Sequence, residues 1–338
     1  MITNPSTLSM ITCSHMAESK APSKSGTATL VVLFILWYGF NAFYNVSNKF
    51  VLRTWAFPYM TSFLQTVIGL IYVIPLWVLG VQPAPKLTTN EALKLMPIAT
   101  LHALGHLAAV VSMGAGAVSF THIIKASEPV ASTVISPLFG VKVQPMSVNI
   151  WLLPIVGGVA YAAMKPGQGF DVSELMGFAS ACAMVSNVFF AIRGILSKKV
   201  MTPEYKEKKN MDASNTYAVL TILSSFILLV PAIFMEGSSA FESYNKIEDK
   251  TTLVQTLFGC GMTYYLYNEM GFRVLGKLDA VATAVGNTVK RVVIMAAAVA
   301  FLGEKMTPNK LIGALVAVSG TMAYSLAKNA AAKKVKTV

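Results

Sequence analysis

The chain has 338 residues, of which 54% are hydrophobic and 12% charged, and a formal net charge of +12. Soluble domains carry about 25% charged residues, so this composition rules out an ordinary soluble enzyme, a disordered chain and a secreted disulfide scaffold. Long apolar runs argue against an outer-membrane barrel, whose strands would show alternating segments of about ten residues, and three scattered cysteines (Cys13, Cys182, Cys260) are too few for a disulfide framework or a metal cage.

Residues 1–26 are polar and rich in Ser and Thr. They read as a flexible segment left from a targeting peptide or a cloning vector. Apolar stretches long enough to cross a bilayer then recur along the chain. In order they cover 27–49, 57–80, 93–115, 119–139, 147–165, 174–200, 214–235, 253–275, 280–302 and 310–327. The connections are short except 201–213 and 236–252, and no segment is large enough for a soluble domain. This predicts an all-α membrane protein of ten transmembrane helices, with a first five-helix repeat over 27–165, a second over 174–328 and a basic tail over 329–338.

With an even number of spans the termini share one side. Of the 27 lysines and arginines, about sixteen fall on that side, among them Lys198, Arg273, Lys277 and Lys328, and about seven on the other, among them Lys49, Arg53 and Lys165. The more basic side is expected to face the cytosol-like compartment. The remaining four, Lys125, Arg193, Lys290 and Arg291, lie inside spans.

The halves repeat. Gly140-x4-Pro145, Gly157 and Tyr161 in the first half match Gly303-x4-Pro308, Gly320 and Tyr324 in the second, all offset by 163 residues. Lys125 and Lys290 correspond with a displacement of two residues, and Asn48-Lys49 with Ser197-Lys198 is a further candidate match. An odd number of spans per repeat inverts the second copy. Inverted repeats are characteristic of secondary transporters, which hold substrate near the midplane between the halves.

The buried charge carries the chemistry. A Lys or Arg near the bilayer centre costs about 2.5–3.5 kcal/mol, so four would cost on the order of 10–14 kcal/mol before pairing. Two acids, Glu128 and Glu269, lie within spans, leaving a formal excess of about two positive charges. An anion of about minus two, such as a phosphate monoester, would balance it. Arg offers a fork that fits phosphate oxygens and Lys a compact point charge. The plainer alternative is that these cations snorkel to an interface or pair with the two acids. Glu128 is expected to pair with Lys125 at i, i+3.

Other polar residues recur at helical spacing. His102 and His106 share a face, as do His122 and Lys125. Tyr38, Asn41, Tyr44 or Asn45, and Asn48 form a stripe on the first span; Tyr264, Tyr267 and Asn268 crowd the eighth; Phe190 and Arg193 are i and i+3 on the sixth. Interhelical hydrogen bonding accounts for such residues in many membrane helices, and is the preferred reading for Tyr38, Asn41, Asn45 and Tyr264. For His106, Tyr267 and Arg193, substrate contact stands level with it. A metal on His102, His106 and His122 is disfavoured by the neighbouring cations.

Gly105-His106, Val118-Ser119-Phe120-Thr121-His122-Ile123-Ile124-Lys125 with Glu128-Pro129, Ser197-Lys198-Lys199, and Gly286-Asn287-Thr288-Val289-Lys290-Arg291 resemble the plastidic sugar-phosphate/phosphate translocators of the drug/metabolite transporter superfamily. The resemblance runs from about Trp37 to Lys328. His106 after Gly105, and the run from Ser186 to Arg193, are similar to the triose-phosphate type; Ala108 and Ala109 depart from it, where that type often has a Thr. The resemblance implies an antiporter, not an enzyme, exchanging inorganic phosphate for phosphorylated C3 compounds by alternating access with strict counter-exchange. The alternatives are another phosphate ester or a nucleotide-sugar. It implies that Lys125, Lys290 and Arg291 hold the phosphate moiety, that His106, Arg193 and Tyr267 contact the organic end, and that Phe190 closes the pocket against longer molecules. It further implies no cofactor, no metal and no nucleic-acid partner. The setting would be the lipid bilayer of the plastid inner envelope, with both termini on the stromal side, as a monomer or homodimer.

Overall fold

The computed structural model describes residues 24–164, 173–275 and 280–336. Residues 1–23 with Cys13, together with Lys165 and Lys277, lie outside the described residues. All regular structure among those described is helical, in the order α1 (Lys24–Thr54), α2 (Pro58–Val78), α3 (Thr89–Lys94), α4 (Met96–Ala115), α5 (Val118–Lys125), α6 (Glu128–Ile135), α7 (Met146–Asn149), α8 (Leu152–Ala162), α9 (Ser173–Met176), α10 (Phe178–Val200), α11 (Pro203–Lys208), α12 (Ala213–Pro231), α13 (Gly237–Lys246), α14 (Lys250–Leu275), α15 (Ala280–Leu302) and α16 (Pro308–Lys336).

Seven helical stretches among the described residues are long and apolar enough to cross a membrane: Thr29–Thr54, Pro58–Val78, Met96–Ala115, Phe178–Val200, Ala213–Lys246, Ala282–Leu302 and Pro308–Lys334. The other three stretches expected to span are helical but differ. The expected fourth breaks at Ala126–Ser127 into α5 and α6 and ends in a 3-10 turn, Ser136–Phe139. The expected fifth is a shorter apolar piece, Met146–Ala162. The eighth, α14, has the length but carries Asn268, Glu269 and Arg273.

Several boundaries move for identifiable reasons. α1 runs on to Thr54, so Lys49 is helical and not in a loop. Residues 236–246, expected as connection, continue α12 through a π turn, Ala232–Glu236, just after Pro231; proline cannot donate to the helical ladder, and a widened turn accommodates the defect. The expected tail is helical as far as Lys336. Two connections on the terminal side carry short capped helices. Thr88 and Glu91 form a reciprocal capping box at α3, and the Thr202 hydroxyl accepts from the Tyr205 N–H at α11.

Gly140 and Gly303, the repeated glycines, both adopt left-handed backbone, φ 72° and 65°. In each half the proline five residues on opens the next helix, Pro145 capping α7 and Pro308 starting α16. The other repeated pairs are not packed alike. A Cβ on Gly320 would meet Ile155, whereas Gly157 faces open space. Tyr324 is buried and Tyr161 exposed. The close contact in the first half is made by Gly158, whose Cβ would lie 2.5 Å from the Ala317 nitrogen, while one on Gly313 would lie 2.5 Å from that of Ala162. Small residues on α8 and α16 thus bring the two backbones together, the usual means of helix association in lipid.

Helix α1 packs antiparallel on α14, with Trp37 against Gly271 and Phe43 against Gly259. Further extensive pairs are α4 with α10 and α8 with α16. The bundle therefore has one end holding the start of α1 and the ends of α14 and α16, and another holding Lys49, the end of α4 and the end of α15. Large apolar side chains such as Ile35, Phe226 and Phe301 point outward, as a lipid-facing surface requires. Between the helices lies a central cavity.

Candidate functional site

The break at Ala126–Ser127 sets the site. Pro129, second residue of α6, cannot donate a helical hydrogen bond. The carbonyls freed by the break find partners elsewhere. Ile124 accepts from Asn187 Nδ2 at 3.1 Å and Ser127 Oγ at 2.7 Å, and Ala126 accepts from Thr321 Oγ1 at 2.8 Å. Broken helices are tolerated at membrane depth where neighbours satisfy the backbone in this way. Lys125 becomes the last residue of α5 and Glu128 the first of α6, so each charge has the favourable sign for its helix end.

The cavity encloses about 610 Å3. Its lining includes all seven residues singled out from the sequence: His106, Lys125, Phe190, Arg193, Tyr267, Lys290 and Arg291. At its deep end it reaches Met113 and Thr121; at the other it runs to Lys198, Lys328 and Asn329, near the ends of α10 and α16. Among the described residues, the lining holds six cations (Lys125, Arg193, Lys198, Lys290, Arg291, Lys328) and one carboxylate, Glu128.

The pairing differs from the expectation. Glu128 Oε2 lies 3.2 Å from Arg291 Nη2 and does not take Lys125, because the break removes the i, i+3 register. Lys125 Nζ instead donates to Ser186 Oγ at 2.8 Å, and Ser186 donates to the Gly105 carbonyl at 2.7 Å. Glu269 is taken by Arg273, assigned from sequence to a loop, at 2.6 Å. It is therefore unavailable to the cavity, and the four deep cations, Lys125, Arg193, Lys290 and Arg291, exceed the acids there by three instead of two.

Aromatic rings hold the rest. Lys125 Nζ and Arg193 Cζ each lie 4.8 Å from the Phe190 ring centre, and Lys290 Nζ lies 5.0 Å from Trp37. Such contacts stabilise a desolvated cation by about 1–2 kcal/mol. Phe190 can reach this place because residue 105 is glycine: a Cβ there would lie 2.9 Å from Phe190 Cε1.

The histidines do not converge as a metal set. His102 Nδ1 lies 2.7 Å from Arg193 Nη1. His106 stacks on Tyr264, centroids 4.1 Å apart, and its Nε2 is buried without a hydrogen-bond partner. His122 Nε2 lies 2.8 Å from Asn45 Oδ1, and Asn45 Nδ2 donates to Asn41. Tyr38 donates to the Gly286 carbonyl at 3.0 Å. The stripe on α1 is thus an interhelical network, and Tyr44 and Tyr267 face each other at 5.2 Å.

Sequence reasoning missed Trp37, Lys198, Tyr324 and Lys328 as cavity residues, and Ser186 as the partner of Lys125. The spacing of Tyr324 and Lys328, one helical turn apart, was an available signal. Ser186 opens the run to Arg193 singled out by resemblance, but nothing in the local sequence says that it meets Lys125.

A bundle of apolar helices around a basic central cavity defines a membrane transporter. Residues 28–325 match the Triose-phosphate Transporter family, and the chain belongs to it. Relatives include the chloroplastic xylulose 5-phosphate/phosphate translocator of Arabidopsis thaliana, 35% identical over 94% of this chain and 74% of its own length. The chloroplastic triose phosphate/phosphate translocator of Brassica oleracea var. botrytis is 34% identical over 88% of this chain and 71% of its own. Glucose-6-phosphate/phosphate translocator 2 of Arabidopsis thaliana is 34% identical over 88% and 74%.

Proposed function

We propose that the chain is an antiporter exchanging inorganic phosphate for phosphorylated C3 compounds, triose phosphate and 3-phosphoglycerate, by alternating access with strict counter-exchange. The observation that carries this is the excess of three positive charges among the deep cavity residues. A dianionic phosphate removes most of it. In this reading Lys125, Lys290 and Arg291 hold the phosphate moiety, Arg291 with the fork that Glu128 now shares. His106, Arg193 and Tyr267 take the organic end; the partnerless Nε2 of buried His106 suits a substrate oxygen. Phe190 limits length.

Strict exchange follows from electrostatics. Without an anion, closing the cavity around repelling cations would strip them of water in a low-dielectric space, at several kcal/mol per ion. With the anion bound, the same closure brings opposite charges together. Only the loaded carrier reorients.

The fold reading that goes with this is ten spans in two inverted repeats, supported by the two left-handed glycines that precede helix-opening prolines. The setting is the plastid inner envelope, supported by the chloroplastic relatives, with both termini in the stroma, supported by the basic terminal side. The carrier acts as a monomer or homodimer, without cofactor or metal.

A second reading, with a pentose or hexose phosphate preferred, is favoured by one observation: the relatives named for xylulose 5-phosphate and glucose-6-phosphate are as similar as the triose type. Purified protein in phosphate-loaded liposomes decides between them. Competition against external labelled phosphate by 3-phosphoglycerate and dihydroxyacetone phosphate, ahead of xylulose 5-phosphate and glucose 6-phosphate, supports the C3 reading. The reverse order replaces it with the second, and competition by UDP-sugars alone discards both.

A further inference from the structure

Among the described residues, Arg193 is a deep cation with no carboxylate bonded to it. Glu128 is committed to Arg291 and Glu269 to Arg273. Its hydrogen-bond partner is a ring: His102 Nδ1, 2.7 Å from Nη1. A guanidinium has five donors and no acceptor, so Nδ1 must present a lone pair. His102 is therefore the neutral tautomer with its proton on Nε2. That nitrogen lies 3.4 Å from Tyr264 Oη, and Tyr264 stacks on His106 at 4.1 Å. His102 is itself 3% exposed, with the edge of Tyr217 against its face, ring centroids 5.9 Å apart at 89°. The imidazole has no freedom to leave, and Arg193 is held between it and Phe190.

We infer that His102 is a positioning residue that selects the organic end of the substrate by aiming Arg193. This rests on the reading above, in which Arg193 serves that end and Lys125, Lys290 and Arg291 serve the phosphate. Two consequences follow. First, His102 must stay neutral for the guanidinium to remain in place: a proton on Nδ1 removes the acceptor and adds a like charge beside Arg193. Second, removing the ring frees a five-donor cation whose charge interacts with Glu128, and the guanidinium relaxes away from the place where an organic carboxylate or carbonyl would meet it. Inorganic phosphate has no such end. The change therefore falls unequally on the two exchange substrates, which a loss of folding or of general transport rate would not produce.

The test is the ratio of KM for 3-phosphoglycerate to KM for phosphate, measured with full-length protein in phosphate-loaded liposomes. His102→Leu, which keeps bulk and removes the acceptor, should raise that ratio about tenfold, the loss of roughly one hydrogen bond to a charged group. His102→Gln, whose amide oxygen can accept from the guanidinium, should return the ratio to within about threefold of wild type. Arg193→Gln serves as the control and should raise the ratio at least as far as His102→Leu. A raised ratio in Arg193→Gln with a wild-type ratio in His102→Leu overturns the role of His102 alone. A wild-type ratio in Arg193→Gln overturns the assignment of the organic end, and with it this inference. Should His102→Leu fail to fold, His102→Gln decides: a ratio raised as far as in Arg193→Gln contradicts rescue by an acceptor and overturns the inference.

Discussion

The two ends of the bundle differ in what their lysines hold. At the far end Lys49 Nζ donates to three carbonyls closing α4, those of Met113, Gly114 and Gly116, at 2.7, 3.1 and 2.8 Å. Beside it Glu304 accepts from the free amides of Val118 and Ser119 at the start of α5, at 2.6 and 2.9 Å. One residue thus caps a helix end that needs a cation and the other a helix start that needs an anion. At the terminal end Lys198 and Lys328 are exposed and line the mouth of the cavity. Lys49 and Lys198 are the lysines matched by the sequence repeat. In the alternating-access reading proposed above, Lys49 belongs to the sealed end and Lys198 to the open one.

The largest effect should come from the chemistry shared by both ends of the cycle. Lys290→Gln and Arg291→Gln each remove a charge that the proposed function sets against the phosphate, and each should lower phosphate exchange in liposomes roughly 100-fold. Near-normal exchange in both would remove the phosphate assignment. Next comes the far-end seal. Lys49→Met leaves three carbonyls without their donor and should raise labelling of a cysteine introduced at Ala115 by an impermeant maleimide about fivefold. Glu304→Gln keeps one acceptor and should raise it less, about twofold.

The smallest effect lies in the loops at the terminal end. Glu91 meets Lys209 at 2.6 Å, and Asn210, at φ 50°, donates to the Pro83 and Ala84 carbonyls. The Lys209 ammonium and the Thr88 amide hold the Glu91 carboxyl at about 2, below its ordinary value. A carboxyl with a lowered folded-state pKa stabilises the fold above its unfolded value and loses that contribution as pH falls through the folded one. Glu91→Gln should therefore lower Tm by no more than about 2 °C at pH 7, with the difference from wild type closing between pH 4 and pH 2 as checked by thermal unfolding at each pH.

Much of this was readable in the sequence because charge in an apolar span has few explanations. Lys125, Arg193, Lys290 and Arg291 were visible for that reason, and all four line the cavity. The helical stretches were visible because apolar length sets a span. The break at Ala126–Ser127 was hidden: Pro129 alone does not say whether a helix kinks or stops, and the partners that permit it, Asn187 and Thr321, sit 60 and 195 residues away. Misplacing that break mispaired Glu128, and treating α14 as ending its charges in a loop mispaired Glu269 with the site. Both errors concern which partner a buried charge meets, and that depends on helix packing, which local sequence does not contain.

The claim that joins these parts is that the cationic cavity closes only around an anion. Uptake of labelled phosphate should be compared in liposomes holding the purified protein and loaded either with phosphate or with an inert salt of equal osmolarity. Uptake confined to phosphate-loaded vesicles is expected. Equal uptake into vesicles without an exchangeable anion would mean that the empty carrier reorients freely, and would contradict the role given to Lys125, Lys290 and Arg291.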